Sequence, residues 1–488
     1  MEKVNKKSTN TKHTITLIIA LGFIFGLRYV PPIDGLTELS MQVVGIFIGT
    51  IILWLSTATT WPSVLCIVAL SMTSLYTYST AITISMGSWI VSFLIFSAMI
   101  TYTLTQTGYL KKVAIWFITR PISKKSPWYF LTLLFGATLF IGAFMSPIPT
   151  FIVFIPIAEQ IFMELGYKKG DRVPQMIILG ILCFSSVSTI TTPIAHTVPL
   201  MSMSLYNQDT GLDINFLTYS IFGIITGLCI LIGALLIFKY LFKPDLSRFI
   251  NLNTERLKDD LTPMSSNEKI TLYTFLFVVF LWMAPGILKL FAPEAANLFN
   301  SLGTPIPPMI GVVILSFIRI NDKPVMNFAE SISKGVPWGA IMLVAATMIL
   351  GNALVSDETG IKQFIVSQIS PFMNGLSPLV FVLIVAAWAI IQTNFAANTV
   401  TVTLVYSVAM PMVLGTAIAD VNPAALASVI GAASCVAMAT PPSTAQAALA
   451  AGTGWLDTKV MLKYGLILSV VSILIITFIG YPIASALM

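Results

Sequence analysis

The chain has 488 residues and a formal net charge of +6, and 56% of its residues are hydrophobic while only 9% are charged. A soluble domain would carry about a quarter charged residues, so this composition excludes a soluble globular protein. Apolar runs long enough to cross a bilayer recur along the chain and predict an all-α polytopic membrane protein. A transmembrane barrel would instead show short alternating strands.

The first apolar run follows a polar, basic tail over residues 1–13. No small-residue cleavage site follows the run, so we interpret it as an uncleaved first span with a cytoplasmic N-terminus. If the spans alternate from there, only Arg28, Lys289 and Lys362 of the 26 Lys and Arg residues lie outside. This positive-inside distribution explains the basic balance without a nucleic acid partner. It predicts an extracytoplasmic C-terminus, and we expect the membrane to be a bacterial inner membrane.

Two long apolar segments fit this charge distribution only if each enters and leaves the membrane on one side. The segment at about 128–165 has basic clusters at both ends and a central Pro-x-Pro, Pro147 and Pro149. Because proline removes a backbone donor and clashes with the preceding turn, a continuous helix is not expected there. The segment at about 376–412 has acidic flanks and the polar centre QTNFAANTVT. We predict two re-entrant helical hairpins, the first from the cytoplasm and the second from outside.

Each predicted hairpin is followed by an apolar segment with a Thr/Pro interruption. The first, at about 174–206, contains TTPIAHTVP, and the second, at about 423–452, contains ATPPSTAQ. Irregular backbone at membrane depth is tolerated only where it is buried or lines a cavity. Two similarly placed interrupted segments indicate an inverted-repeat secondary transporter with its site near the midplane.

The predicted architecture is an inverted repeat with about 11 transmembrane helices, two re-entrant hairpins and two broken helices at the midplane. The first half covers 1–243 and the second covers 269–488, and they are joined by a cytoplasmic segment, 244–268, predicted as an interfacial helix. The remaining spans are predicted at about 14–30, 41–56, 58–77, 87–107, 216–242, 270–291, 306–320, 336–353 and 460–486.

Residue patterns typical of membrane enzymes and ion pumps are missing from the sequence. It contains no HExxH, P-loop or GxSxG motif and no pair of membrane carboxylates. Glu159 is the only acid within a strongly apolar run, and we interpret it as a side chain near the cytoplasmic end of a hairpin arm. The four cysteines show no metal or redox spacing. We therefore expect no enzyme, no metal site and no cofactor.

The interrupted segments offer hydroxyls, amides and helix ends instead. Half-helix N-termini carry partial positive charge and free N–H groups, so four of them converging would favour an anion. Hydroxyl and amide side chains add hydrogen bonds suited to carboxylate oxygens. Such residues also serve helix packing and kinks in membranes, but four interruptions in matched order favour binding.

This arrangement is similar to the divalent anion/sodium symporter family, the INDY-type carriers of di- and tricarboxylates. In that family each hairpin tip carries Ser-Asn-Thr and each broken helix carries a Thr-Pro-Pro-like turn. Here FMSPIPTFIVFIPI resembles the first tip and NFAANTVT the second, while ATPPSTAQ matches the second turn well and TTPIAHTVP matches the first poorly. The resemblance implies a homodimer in the lipid bilayer, elevator-like movement and small di- or tricarboxylate substrates. We expect substrate contacts at Ser146, Pro147, Thr150, His196, Ala397, Asn398, Thr399, Thr440 and Ser443.

Departures from the family pattern affect the coupling. Pro147 and Ile148 stand where the family has Asn and Thr, and Ala397 replaces a Ser. Sodium-coupled members use these motifs for sodium as well as substrate, so we predict a sodium-independent exchanger of C4–C6 dicarboxylates. His196 stands where a Thr is expected, and an imidazolium there would replace the charge of sodium. The alternative is a neutral His bonded to free backbone at the helix break.

Other functions remain open at this point. The nearest is a sodium-coupled symporter that keeps a sodium site around Asn398. A second is a carrier of sulfate or another inorganic oxyanion on the same scaffold. A membrane enzyme would need a nucleophile–base pair, which a single membrane histidine without a carboxylate partner does not provide. A passive channel is also possible, but it would not require two re-entrant hairpins with closed tips. For the sodium-independent exchanger predicted above, the expected substrates are 2-oxoglutarate, malate, succinate, fumarate or citrate.

Overall fold

The computed structural model describes residues 13–57, 59–252, 261–289, 291–373, 376–415, 418 and 420–488. Within these ranges eight helices are long and apolar enough to cross a membrane. Most of the described chain is helical, and two short strands, β1 (Arg319–Ile320) and β2 (Lys323–Pro324), pair antiparallel. The protein is therefore an all-helical, multi-pass membrane protein, as the composition predicts.

The helices follow one another with short connections. The first half contains α1 (His13–Tyr29), α2 (Glu38–Ser56), α3 (Thr60–Ser71), α4 (Tyr78–Ile84), α5 (Trp89–Gln106), α6 (Tyr109–Ile118), α7 (Pro127–Gly142), α8 (Pro147–Glu164), α9 (Arg172–Thr191), α10 (Thr197–Thr210) and α11 (Phe216–Phe242). The second half contains α12 (Ser266–Leu288), α13 (Pro293–Ser301), α14 (Ile306–Phe317), α15 (Phe328–Glu330), α16 (Trp338–Val355), α17 (Ile361–Met373), α18 (Pro378–Thr393), α19 (Asn398–Leu414), α20 (Pro423–Ala433), α21 (Ala445–Gly452) and α22 (Thr458–Leu487).

Part of the interfacial helix expected in 244–268 falls on 253–260, which lie outside the described residues. The described part contains a 3-10 turn, Ser247–Asn251, no regular element over 261–265, and the start of α12 at Ser266. The Asp245 carboxylate accepts a hydrogen bond from the Ser247 amide at 3.0 Å. Such a local bond favours a turn over a helix. Conversely, the chain between the span predicted at about 87–107 and the hairpin predicted at about 128–165 was expected to be a loop, and it contains the short helix α6.

Two helix pairs occupy the regions predicted as hairpins, α7 with α8 and α18 with α19. The first arm of each pair has 16 residues and begins with a serine cap followed by proline, Ser126-Pro127 and Ser377-Pro378. Proline fits the first helical position because its missing N–H would be unpaired there in any case. The same rule explains why α8 begins at Pro147. The proline that interrupts the first pair is thus also the start of its second arm.

The two ends of the α7–α8 pair lie close together. The Phe249 ring, beyond α11, is 5.7 Å from the Phe130 ring near the start of the pair and 6.1 Å from the Tyr167 ring just after its end. Arg248 also donates a hydrogen bond to the Gly166 carbonyl at 3.1 Å. The pair therefore begins and ends beside the same connecting segment.

Two helices are interrupted where the sequence has its Thr/Pro turns. The backbone leaves the helix between α9 and α10 over 192–196, and between α20 and α21 over 434–444. The Thr192 hydroxyl donates to the Ala143 carbonyl, and the Thr440 hydroxyl donates to the Asn394 carbonyl. Ala143 and Asn394 each directly follow the first arm of a helix pair. Each interruption is thus fixed to the tip of the preceding pair by the same kind of bond.

Candidate anion-binding site

A cavity of about 320 Å³ lies between the two tips and the two interruptions. Residues of α5 and of the start of α16 complete its wall. Seven of the nine residues expected to contact substrate line it: Ser146, Pro147, His196, Ala397, Asn398, Thr399 and Ser443. The structure therefore brings together positions from both halves of the chain that are up to about 300 residues apart.

The other two expected contacts, Thr150 and Thr440, do not line this cavity. The Thr150 side chain is fully buried, and its hydroxyl donates to the Ser146 carbonyl at 3.0 Å. The Thr440 hydroxyl donates to the Asn394 carbonyl. Both hydroxyls are used to hold a tip in place, so their position in the structure differs from the direct contact expected of them.

Helix N-termini surround the cavity. The N-cap residues of α8, α10, α19 and α21 are Ser146, His196, Ala397 and Thr444, and all four line it. Among the described residues of the lining, none is an Asp, Glu, Lys or Arg. Free N–H groups and aligned peptide dipoles make a helix N-terminus attractive to anions. With four such ends and no acidic side chain, the cavity favours a negatively charged ligand.

His196 is half-buried and caps α10. Its Nδ1 accepts a hydrogen bond from the Val198 amide at 3.3 Å. An imidazolium carries hydrogen on both ring nitrogens and accepts no such bond. In this geometry the ring is therefore neutral, with its hydrogen on Nε2, which differs from the charged role expected from the sequence. A neutral ring still offers one N–H donor to an anion.

Oxygen atoms cluster at the second tip. The Thr393 Oγ1 lies 2.8 Å from the Asn398 Oδ1 and 2.7 Å from the Ser434 carbonyl oxygen. The first tip has Gly142 and Pro147 at the positions corresponding to Thr393 and Asn398, because each ends or begins the matching helix. Neither residue has a side-chain oxygen. The two tips therefore differ in the oxygen ligands they offer to a cation.

No cluster of typical metal ligands accompanies the cavity. Across the described ranges, no three or more His, Cys, Asp or Glu side chains come together. Any cation bound here would depend on neutral oxygens such as those near Asn398.

The sequence profile of a family described as sodium:sulfate symporter transmembrane region matches residues 10–488. The chain belongs to this family. The match covers nearly the whole sequence and confirms the resemblance to divalent anion/sodium symporters. The family and the named relatives are transporters rather than enzymes.

Several curated relatives of this family member are transporters. One is the sodium-dependent dicarboxylate transporter SdcS of Staphylococcus saprophyticus, which is 26% identical over 71% of this chain and 67% of its own length. A protein of the same name from Staphylococcus aureus is 23% identical over 71% of this chain and 67% of its own length. An uncharacterized transporter of Haemophilus influenzae is 24% identical over 71% of each chain.

Two solved transporter structures are similar in fold. The Alcanivorax borkumensis YdaH transporter has a TM-score of 0.53 and 14% identity, and covers 80% of this chain and 84% of its own. Neisseria gonorrhoeae MtrF, described as one of a class of antimetabolite efflux pumps, has a TM-score of 0.55 and 13% identity, and covers 89% of this chain and 97% of its own. At these identities the likeness concerns the fold alone.

In this family member Asn394 is a key residue that the sequence analysis did not select. Its buried Oδ1 accepts hydrogen bonds from the Met438 and Ala439 amides at 2.9 and 2.8 Å. Its Nδ2 lies 3.1 Å from both the Val436 carbonyl and the Ser469 hydroxyl. Asn394 thus holds the second interruption against the second tip. An amide immediately after an apolar helical arm is the sequence signal that marks it.

The cavity also contains polar residues that had no clear sequence signal. Ser97 and Thr101 come from α5, and Gln446 comes from the start of α21. Gln446 lies two residues beyond Thr444 within ATPPSTAQ. The α5 residues approach the cavity only through long-range packing, which the local sequence does not encode.

Proposed function

We propose that this protein is a secondary carrier of C4–C6 dicarboxylates and exchanges one such anion for another without sodium. The observation that carries the proposal is the convergence of four helix N-termini on a cavity whose described lining contains no Asp, Glu, Lys or Arg. Its volume of about 320 Å³ suits a small ligand, since ligand sites span about 300–1,000 Å³. Relatives named as dicarboxylate transporters support this substrate class.

The proposed architecture is an inverted repeat of 1–243 and 269–488, with about 11 spans, two re-entrant hairpins and midplane interruptions. Two observations support the repeat. Both first arms have 16 residues behind a Ser-Pro start, and a threonine of each interruption bonds the residue after that arm. The contacts of Phe249 with both ends of the α7–α8 pair support re-entry from one side. A homodimer and elevator movement are proposed from the family resemblance.

The proposed topology has the N-terminus in the cytoplasm of a bacterial inner membrane. Residues 108–127 and 166–173 then face the cytoplasm, and 354–360 and 418–422 face outside. In a variant without the native cysteines, we expect a membrane-impermeant thiol reagent to label Glu358→Cys in intact cells. Lys124→Cys and Lys168→Cys should react only after the membrane is opened. Labelling of Lys124→Cys and Lys168→Cys from opposite sides would exclude the first re-entrant hairpin.

Sodium-independent exchange is proposed because the first tip lacks the two side-chain oxygens that Thr393 and Asn398 supply at the second tip. Gly142 and Pro147 occupy the places that Thr393 and Asn398 fill in the second tip. Sodium binds hard oxygen ligands, and a proline and a glycine supply no side-chain oxygen. A sodium site comparable to the second tip is therefore not expected at the first.

A sodium-coupled symporter is the second candidate, and a specific observation favours it. The Thr393, Asn398 and Ser434 oxygens lie close together at the second tip, and several relatives are named as sodium-dependent. One sodium site there would couple transport to sodium. Because the family description names sulfate, an inorganic oxyanion such as sulfate is an alternative substrate.

Ligand-induced stabilisation of the purified protein tests the substrate class. We expect succinate, malate or 2-oxoglutarate to raise the unfolding midpoint, since a ligand at 100 times its Kd adds about 2.7 kcal/mol of stability. Butyrate, a monocarboxylate of equal chain length to succinate, is the control and should have little effect. Stabilisation by sulfate with none by any dicarboxylate would replace the proposal with an oxyanion carrier.

The variant His196→Thr should weaken dicarboxylate binding without unfolding the protein. Loss of the Nε2–H bond to a buried carboxylate should cost about 1.5–3 kcal/mol, or roughly ten- to a hundredfold in affinity. Because Thr also caps helices, the start of α10 should persist. Calorimetric titration of both proteins measures the change, and unchanged affinity would place the anion away from His196.

The pH dependence of the same titrations separates a neutral from a charged His196. The cap bond from Val198 to Nδ1 requires a neutral ring. Wild type and His196→Thr should therefore have parallel pH profiles between about pH 6 and 8.5, a range that includes the ordinary histidine pKa of about 6.5. If the wild type alone loses affinity as pH rises, the bound ring is an imidazolium and the cap bond is broken in the complex.

A further inference from the structure

Gln446 has a buried amide that the protein itself does not pair. The residue is only 3% exposed and lines the anion cavity. Its side-chain amide makes no hydrogen bond with the described residues, and its polar atoms are open to the cavity rather than enclosed by protein. Leaving a buried polar group without a partner is costly, and most such groups in folded proteins are paired. A group of this kind in a binding cavity points to a ligand as its partner.

The hydroxyls of Ser443 and Thr444, shortly before Gln446 in the chain, already take part in hydrogen bonds within the protein. The Ser443 hydroxyl donates to the Thr440 carbonyl at 2.6 Å, and the Thr444 Oγ1 accepts from the Ala447 amide at 3.2 Å. Ser97, also in the cavity wall, has a buried hydroxyl without a partner. The Gln446 amide is thus an uncommitted hydrogen-bonding group open to the cavity, while the unpaired Ser97 hydroxyl is enclosed in the cavity wall.

The amide of Gln446 keeps both its donor and its acceptor free for a ligand. Helix N-termini donate hydrogen bonds, as does a neutral His196 through Nε2, and the carboxylates of a dianion only accept them. A glutamine side chain both donates and accepts. A plain diacid can accept from the Gln446 Nε2 but has no hydrogen for the Oε1. A hydroxyl on the carbon beside a carboxylate supplies that hydrogen.

We infer that Gln446 is a specificity residue that selects 2-hydroxy dicarboxylates over diacids without a hydroxyl. The inference rests on the proposed function and narrows its substrate class. It follows the general asymmetry that a site built to hydrogen-bond a ligand hydroxyl discriminates strongly against the analogue without one, since the polar group of the site is then left unpaired.

Competition measurements in vesicles test this inference. Unlabelled L-malate and succinate compete with labelled L-malate for exchange by the wild type, and we expect L-malate to compete at roughly tenfold lower concentration. Gln446→Met keeps the length of the side chain but removes its polar atoms. In this variant the two competitors should become nearly equal, mainly because L-malate binds more weakly. Gln106→Met, at an exposed position of α5, is the matched control and should keep the wild-type ratio.

The outcomes separate this inference from the proposed function. Wild-type exchange that prefers succinate or treats both diacids alike overturns the role of Gln446, and this measurement does not depend on any variant folding. An unchanged ratio in a folded Gln446→Met protein overturns it as well. If the wild type binds and exchanges no dicarboxylate at all, the proposed function itself has failed.

Discussion

Asn394→Leu is expected to abolish exchange and to lower the unfolding midpoint of the protein markedly. Leucine has the same branched shape and number of side-chain heavy atoms as asparagine but no polar atoms, so the buried Met438 and Ala439 amides lose their acceptor. Each buried group left unpaired costs about 1–3 kcal/mol. The second interruption would then be held to the second tip only by the Thr440 and Thr393 hydroxyls, which bond backbone carbonyls, and we expect the N-termini of α19 and α21 to lose their fixed placement around the cavity. Thermal unfolding in detergent and vesicle exchange measure the two effects.

Asn207→Leu is the matched control for this substitution. Asn207 makes one exposed side-chain hydrogen bond, to the Asp213 carboxylate at 2.8 Å, and exposed bonds of this kind contribute little. We expect near-wild-type unfolding and exchange in this variant. If Asn394→Leu behaved like Asn207→Leu, the bonds of Asn394 would not be what assembles the site.

The helix pairs and interruptions could be predicted because their signals are local. Proline at 147 and 149 and the Thr-Pro turns act on the backbone within a few residues, so their positions in the sequence fix where helices end. The gathering of residues such as Ser146 and Asn398 was predictable from the matched order of these interruptions. Residues Ser247–Asn251 form a 3-10 turn rather than the interfacial helix expected in 244–268, because the local Asp245 bond competes with helix formation.

The details of the site depend on packing that the sequence does not reveal. Asn394 and Ala143 occupy matching places after the first arms and each accepts a threonine bond at its carbonyl, but only the asparagine adds side-chain hydrogen bonds to the neighbouring interruption. Ser97 joins the cavity through α5, which is distant in sequence from both tips. The neutral state of His196 follows from its bond to the backbone amide of Val198, only two residues away. That bond depends on the backbone conformation of the interruption between α9 and α10, which the composition of the segment does not specify.

Obligatory exchange is the other expected result with a large effect. The empty cavity combines four helix N-termini with no acidic side chain among its described residues. Moving this unneutralised positive potential through a low-dielectric membrane is costly. A bound dianion removes the imbalance, so the loaded carrier can cross and the empty one crosses rarely. Net uptake without a counter-substrate should therefore be very slow.

Uptake of labelled dicarboxylate into proteoliposomes tests this account most directly. Three vesicle populations are compared: empty, empty with an inward sodium gradient, and preloaded with unlabelled dicarboxylate. We predict rapid uptake only into the preloaded vesicles, with the same rate when potassium replaces sodium. Concentrative uptake into empty vesicles driven by the sodium gradient would contradict the exchanger and identify a sodium-coupled symporter with its cation near Thr393, Asn398 and Ser434.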